Sequence, residues 1–165
     1  MKVIKLALLQ LNKDYLWGTN GPDTFDCAGL TWYIYNSLLG IDINEDGIGK
    51  STTTLQMTSK YGLLSLCEEE ALDKESFIDT IKPGDIVFIH RQSLKARAPA
   101  SDNYYPGHCG LYLGERQIIH ANRVNNRVAI ANLDKSSLWL EKLVGCKNII
   151  SDSEVARKLQ YTPKL

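Results

Sequence analysis

The sequence lacks most of the features by which a function class announces itself. Its four cysteines (Cys27, Cys67, Cys109 and Cys146) lie far apart, with no CxxC pair and nothing like the density of a disulfide scaffold. The plain reading is four thiols, three of them buried as small hydrophobes. There is no excess of either charge, Lys+Arg and Asp+Glu being balanced at 19 each, which argues against a nucleic-acid binder and leaves no acidic tail. No hydrophobic run approaches the length of a transmembrane span. The apolar start, Val3 to Leu11, is short and passes into Asn12-Lys13-Asp14 without a small-residue cleavage pattern, so no signal peptide is read there. Neither an internal repeat nor a linker divides the chain. With 165 residues and 44% hydrophobic content, a single domain over 1–165 can bury a core without staples.

Against this background one stretch stands out, Thr24-Phe25-Asp26-Cys27-Ala28-Gly29-Leu30 and its continuation to Tyr35. The turn residues Asn20-Gly21-Pro22-Asp23 lead into it and Gly40 closes it. Leu30, Ile34 and Leu38 recur every fourth residue, the spacing of one helix face. Thr24 or Asp26 can cap the start, and Gly40 suits the left-handed position past the end. Cys27 then falls in the first helical turn. There, unpaired backbone N–H groups and the helix dipole favour negative charge, so a thiol loses its proton more easily.

The rest reads as helices first and strands later. A helix is expected over roughly residues 2–12, with Ile4, Leu8 and Leu11 on its apolar face, then a turn-rich approach over Tyr15–Thr19. The polar segment Asp42–Gly47 is oxygen-rich but lacks the full EF-hand spacing of a calcium loop. Ser51 can cap a helix over about 52–61, and Glu68-Glu69-Glu70 is a solvated charge run or the start of a short helical turn. Lys82-Pro83-Gly84-Asp85 is a strong turn signal ahead of a buried strand, Ile86–Ile89. Residues 91–107 are polar, aperiodic and long enough to be a lid or binding loop. Then come a strand over His108–Leu113, a Gly114-Glu115 turn, a strand over Gln117–Ala121 and a third over Arg127–Ala131. Trp139–Ile150 adds one more strand or mixed segment, and 151–165 is a tail of undetermined structure.

A nucleophilic sulfur needs a base. Of His90, His108 and His120, the last two lie on neighbouring arms of the expected hairpin, where antiparallel pairing can bring them together. One imidazole would take the thiol proton and a second polar group would fix its tautomer. Each residue alone has a blander reading, since a cysteine is most often core and a histidine most often a hydrogen-bonded structural residue. Composition and periodicity leave both readings open.

Four blocks in order lift the catalytic one. Tyr15-Leu16-Trp17-Gly18, Phe25-Asp26-Cys27-Ala28-Gly29-Leu30, Lys82-Pro83-Gly84-Asp85-Ile86-Val87-Phe88, and Gly107-His108-Cys109-Gly110-Leu111-Tyr112-Leu113-Gly114 with Ile119-His120-Ala121 run through the chain. They resemble the Y-x-W-G-G, F-D-C-S-G-L, K-P-G-D-L-V-F-F, and H-V-G-I-Y-L-G plus I-H-A blocks of the NlpC/P60 family of cysteine peptidases, over roughly residues 10–131. Ala28 stands where the family block has serine, and Thr19 where it has its second glycine.

The resemblance implies a reduced papain-like α+β fold, with the nucleophile helix packed on an antiparallel β-sheet. It implies Cys27 as nucleophile, His108 as the base that forms its ion pair, and His120 as the residue that orients His108. Tyr15 and Trp17 would line the substrate cleft, Asp26 would help recognise a substrate amino group, and the Cys27 backbone N–H would serve the oxyanion. His90 matches no catalytic position and reads as a strand end. Cys109 is expected to point away from the site, and Cys67 and Cys146 carry no role. The implied reaction is hydrolysis of a peptidoglycan stem peptide between D-glutamate and the following diamino acid, through a thioester, with no metal or organic cofactor.

Without a leader or wall-binding repeats, the expected context is a soluble protein, cytoplasmic as made. It would reach its substrate within a phage tail or prophage lysis system or through a dedicated non-Sec secretion machine, with an immunity partner as one consequence, or it would be a domain of a larger protein. Oligomeric state is left open. Two other classes stay open on the residues: a thiol amidase or acyltransferase on a non-wall substrate, and a non-catalytic phage or virion module. Retention of Cys27, His108 and His120 together argues against the second.

Overall fold

The computed structural model describes residues 1–43, 64–67, 73–90, 106–134 and 138–161. The oxygen-rich segment beyond Ile43, the helix expected over 52–61, the acidic run at 68–70 and the loop positions 91–105 lie outside them. Among the described residues no helix is long and apolar enough to cross a membrane.

The first helix, α1 (Lys2–Leu8), is shorter than its apolar pattern suggests. It buries Val3, Leu6 and Ala7 rather than a face through Leu8, which stays exposed. Asn12 takes a left-handed φ of 66°, its N–H donates to the Val128 carbonyl, and the chain turns into the sheet. Two strands of two residues follow, β1 (Asp14–Tyr15) and β2 (Thr24–Phe25), paired parallel. The expected antiparallel sheet is thus mixed at this edge.

The helix α2 (Cys27–Trp32) begins at Asp26 as expected and continues as a wider π-helical stretch over Tyr33–Leu38. Gly40 then breaks it at φ +66°. Leu30 and Ile34 are fully buried and Leu38 is partly buried against the same core, so the periodic face does root the helix, with Tyr35 fully buried beside it. At about 1.5–3 kcal/mol for each large side chain taken from water, this face is enough to hold a short helix against fraying.

Next come β3 (Leu64–Leu66), α3 (Lys74–Ile78), β4 (Ile86–His90), β5 (Pro106–Gly114), β6 (Gln117–Asn122) and β7 (Arg127–Asn132). The chain ends with α4 (Leu138–Glu141), β8 (Leu143–Lys147), a 3₁₀ turn over Ile149–Ser151 and α5 (Ser153–Tyr161). Pro106 and Gly107, expected in the loop, open β5 instead. The tail expected without definite structure supplies α5. The strands form one eight-stranded sheet in the order β2-β1-β7-β6-β5-β4-β8-β3.

Alternation along the strands splits the core into two layers. Ile86, Phe88, Cys109, Leu111, Ile119 and Ala121 face the helix side, against Val3, Leu30 and Ile34. Val87, Ile89, Tyr112, Ile118 and Leu143 face the other side, against Phe77 and Ile78. The Pro83-Gly84-Asp85 turn is tied at both ends. Gly84 has φ +97°, and the buried Asp85 carboxylate accepts the N–H groups of Lys82 and Ile150, each at 3.0 Å. Tyr35 donates its hydroxyl to the Gly84 carbonyl, which fixes β4 relative to the helix.

Candidate active site

The tip of α2 is built by its cap. Asp26 is extended (φ −92°, ψ −179°), and its two carboxylate oxygens accept from Gly29 N–H at 2.7 Å and Gly18 N–H at 2.9 Å. Its pKa is raised, first by burial and further by the neighbouring Cys27 charge, against the lowering effect of those N–H groups. The second bond draws residues 15–19 along the helix start, helped by Leu16 N–H to the Phe25 carbonyl and Asp26 N–H to that of Thr19. Gly29 is required by this approach, because a Cβ there would stand 2.1 Å from the Thr19 carbonyl oxygen. The two cleft candidates therefore flank the helix tip. Tyr15 is buried on β1, while Trp17 is 71% exposed.

Cys27 is the first residue of α2 and only 5% exposed. Opposite it, the β5–β6 hairpin brings the histidines together, with His108 Nε2 and His120 Nδ1 2.7 Å apart. Gly110 makes this spacing possible. A Cβ on it would lie 2.8 Å from the Ile119 carbonyl oxygen and 3.1 Å from His120 Cβ. His120 is 1% exposed, and its pKa is pushed down to about 3, first by burial and then by the charge of His108. It is therefore a neutral ring. When His108 is protonated both its nitrogens donate, so His120 must offer Nδ1 as the acceptor and keep its own proton on Nε2. That leaves His108 Nδ1 for the sulfur.

Trp139, from the single turn of α4, walls this pair. Its ring centroid is 4.6 Å from that of His120, edge on at 85°, and 5.7 Å from that of His108 at 35°. Sequence reasoning gave Trp139 no role. A helix of four residues has no periodicity from which to read one.

Cys27 is held well below the ordinary thiol value. The first cause is a side-chain hydrogen bond from Cys109, which outweighs the upward push of burial. The hydrogen bond and charge of His108 and the Cys109 backbone add to the lowering. Cys109 therefore does not point away, contrary to expectation. It is fully buried on the helix side, with its Sγ 3.9 Å from Thr31 Oγ1, one helical turn from Cys27. The alternation itself is regular from His108 to Leu111 and puts Cys109 with Leu111 on the helix side, and the bulge of β5 lies just before it. Ile89 pairs with His108 and His90 with Pro106, which leaves Gly107 without a partner beside His108. A bulge twists the strand locally, here at the point where His108 enters it.

The remaining candidates lie elsewhere. His90 ends β4, as expected. Cys67 and Cys146 are buried thiols, and burial pushes Cys146 up to about 12, which leaves it unreactive. Among the described residues no group of three His, Cys, Asp or Glu side chains is disposed to hold a metal ion.

Comparison with known proteins gives a consistent picture. The sequence profile described as the NlpC/P60 family matches residues 12–148. The p60 protein of Listeria grayi is 33% identical over 141 residues, covering 84% of this chain and 20% of its own length. Murein DD-endopeptidase MepH of Escherichia coli (strain K12) is 29% identical over 143 residues, 86% of this chain and 43% of that one. The solved structure of NlpC2 from Trichomonas vaginalis superposes with a TM-score of 0.63 at 26% identity, over 89% of this chain and 45% of that one. The chain thus spans less than half the length of each of these relatives.

Proposed function

The chain belongs to the NlpC/P60 family, and from that premise we propose that it is a cysteine endopeptidase of peptidoglycan stem peptides, cutting between D-glutamate and the following diamino acid. One observation carries this reading. A depressed thiol at a helix N-terminus faces a histidine whose far nitrogen is 2.7 Å from a second, neutral histidine.

In this reading the Cys27 thiolate attacks the amide carbonyl, and the developing oxyanion is met by the Cys27 backbone N–H. The His108 imidazolium gives its Nδ1 proton to the leaving amine, and a thioester remains on Cys27. Water, deprotonated by His108, then releases the acyl group and restores the thiol pair. His120 keeps the His108 ring aligned by accepting its Nε2–H throughout. Tyr15 and the exposed Trp17 flank the tip at which the peptide must bind. Asp26 holds the helix start with both oxygens, so its contact with a substrate amine would be made by lone pairs those N–H groups leave open.

The test is mass spectrometry of muropeptides and intact sacculi incubated with wild type and Cys27→Ala. Cleavage by wild type alone, with fragments ending at D-glutamate, is the expected result. Fragments from a DD bond, the bond for which MepH is named, would correct the site of cleavage and keep the enzyme. Intact muropeptides beside a rapidly alkylated Cys27 would transfer the same machinery to a non-wall amide, as an amidase or acyltransferase. An unreactive Cys27 would leave a non-catalytic module.

A further inference from the structure

Trp139 takes no part in the chemistry proposed above, yet its ring closes a triangle with the two histidines. Ring centroids lie 5.0 Å apart for His108 and His120, 5.7 Å for His108 and Trp139, and 4.6 Å for His120 and Trp139. The last is at the close end of aromatic contact, and the two planes stand at 85°. The indole also has a firm base. Its neighbour Leu140 is buried in the core layer that holds Ile89 and Leu143, and Trp139 packs against that layer. The end of α4 is tied down by His90 N–H to the Lys142 carbonyl at 2.8 Å and by Lys74 Nζ to that of Glu141. The geometry points to Trp139 as a positioning residue whose indole stops the His120 ring from turning its Nδ1 away from His108.

A half-turn of an imidazole about its Cβ–Cγ bond exchanges Nδ1 with Cδ2. In His120 it would put a carbon where His108 Nε2 now has its partner at 2.7 Å. Gly110, the β5 residue against His120, has no side chain to oppose the turn. The indole does, because the turning ring would have to pass through the 4.6 Å contact. On the proposed mechanism this stop matters most late in the cycle. While His108 is an imidazolium, its bond to His120 is charge-assisted, and that helps to hold the acceptor. Once the proton has gone to the leaving amine, His108 is neutral. It must then keep its remaining proton on Nε2 if Nδ1 is to take one from water. His120 Nδ1 must still be in place, with packing rather than charge to keep it there. This inference deepens the catalytic reading and rests on His108 being its base.

The experiment reads the histidine rings directly, by nitrogen–proton correlation spectra of the full chain at neutral pH. It compares wild type, Trp139→Phe and Trp139→Leu, with the His120 signals assigned by their loss in His120→Gln. Wild-type His120 should show one protonated and one bare nitrogen, the pattern of a single tautomer. In Trp139→Leu both nitrogens should move towards the average of two interconverting tautomers. Trp139→Phe keeps a flat ring and should keep the wild-type pattern. On muropeptides, kcat of Trp139→Leu should fall about tenfold with KM little changed, since a misplaced base costs rate rather than binding. A purely packing role would cost stability in urea and leave the ring signals in place. Wild-type signals in Trp139→Leu, or averaged ones in wild type, therefore overturn the inference. So does a Trp139→Phe variant that averages as far as Trp139→Leu, because a flat ring would then not be the stop. Should Trp139→Leu not fold, Trp139→Met takes its place with the same expectation. The ring signals need no peptidoglycan, so uncleaved muropeptides would overturn the peptidase reading alone, and unchanged signals would overturn this inference alone.

Discussion

Whether His120 matters through its charge, its bulk or its lone pair is decided at one atom. Burial holds the ring neutral, and Nδ1 lies 2.7 Å from His108 Nε2. What it supplies is an acceptor, not a second base. On the proposed mechanism His120→Ala should lower kcat roughly 100-fold with a smaller change in KM, because the lost group would orient the general base rather than bind the peptide. His120→Asn, whose amide oxygen can accept from His108, should recover part of that loss. Equal losses in the two variants would mean that the acceptor is not the contribution. Trp139 belongs to the same account. An indole packed against both imidazoles keeps water from the pair, and dry surroundings make the single hydrogen bond between them directional.

At the scale of elements, the site depends on how closely β5 and β6 can run. Backbone, not a flexible side chain, stands 2.8 Å from where a Gly110 Cβ would be. Gly110→Ala must therefore widen the hairpin. The expected cost is about 1–3 kcal/mol in urea unfolding, with a fall in kcat from a lengthened His108–His120 contact. Wild-type stability in this variant would refute the close-approach argument. The same hairpin was the most legible part of the sequence. His108 and His120 sit in strands of period two about a Gly114-Glu115 turn, and both the pairing and the meeting of the two rings follow from that spacing. The Pro83-Gly84-Asp85 turn and the capped α2 were equally readable, because their residues act locally. Three features were not readable. The strands β1 and β2 are two residues each and exist only through their partners. Trp139 arrives on a single helical turn. Cys109 lies with Leu111 on the layer that meets α2, and the sequence alone does not say which face of β5 that helix covers.

Over the whole molecule, the buried site makes folding itself depend on pH. His120 titrates at about 3 when folded and near 6.5 when exposed. Between those values the unfolded chain binds a proton that the folded chain does not. Stability from this group is therefore complete above the unfolded value and is lost as pH falls towards 3. From pH 6.5 down to about 5 the loss is about 1.6 kcal/mol. His120→Gln carries no such proton, so its unfolding free energy in urea should fall by that much less over the same interval, whatever its starting stability. Parallel falls in the two proteins would show that His120 is not held neutral by the fold. Two acid effects thus separate by residue. On the proposed mechanism the acid limb of Cys27 labelling answers to the Cys27–His108 pair, while the slope of stability answers to His120. A substitution that moved both together would point to a loosened contact between α2 and the β5–β6 hairpin, on which both histidines and both thiols of the site depend.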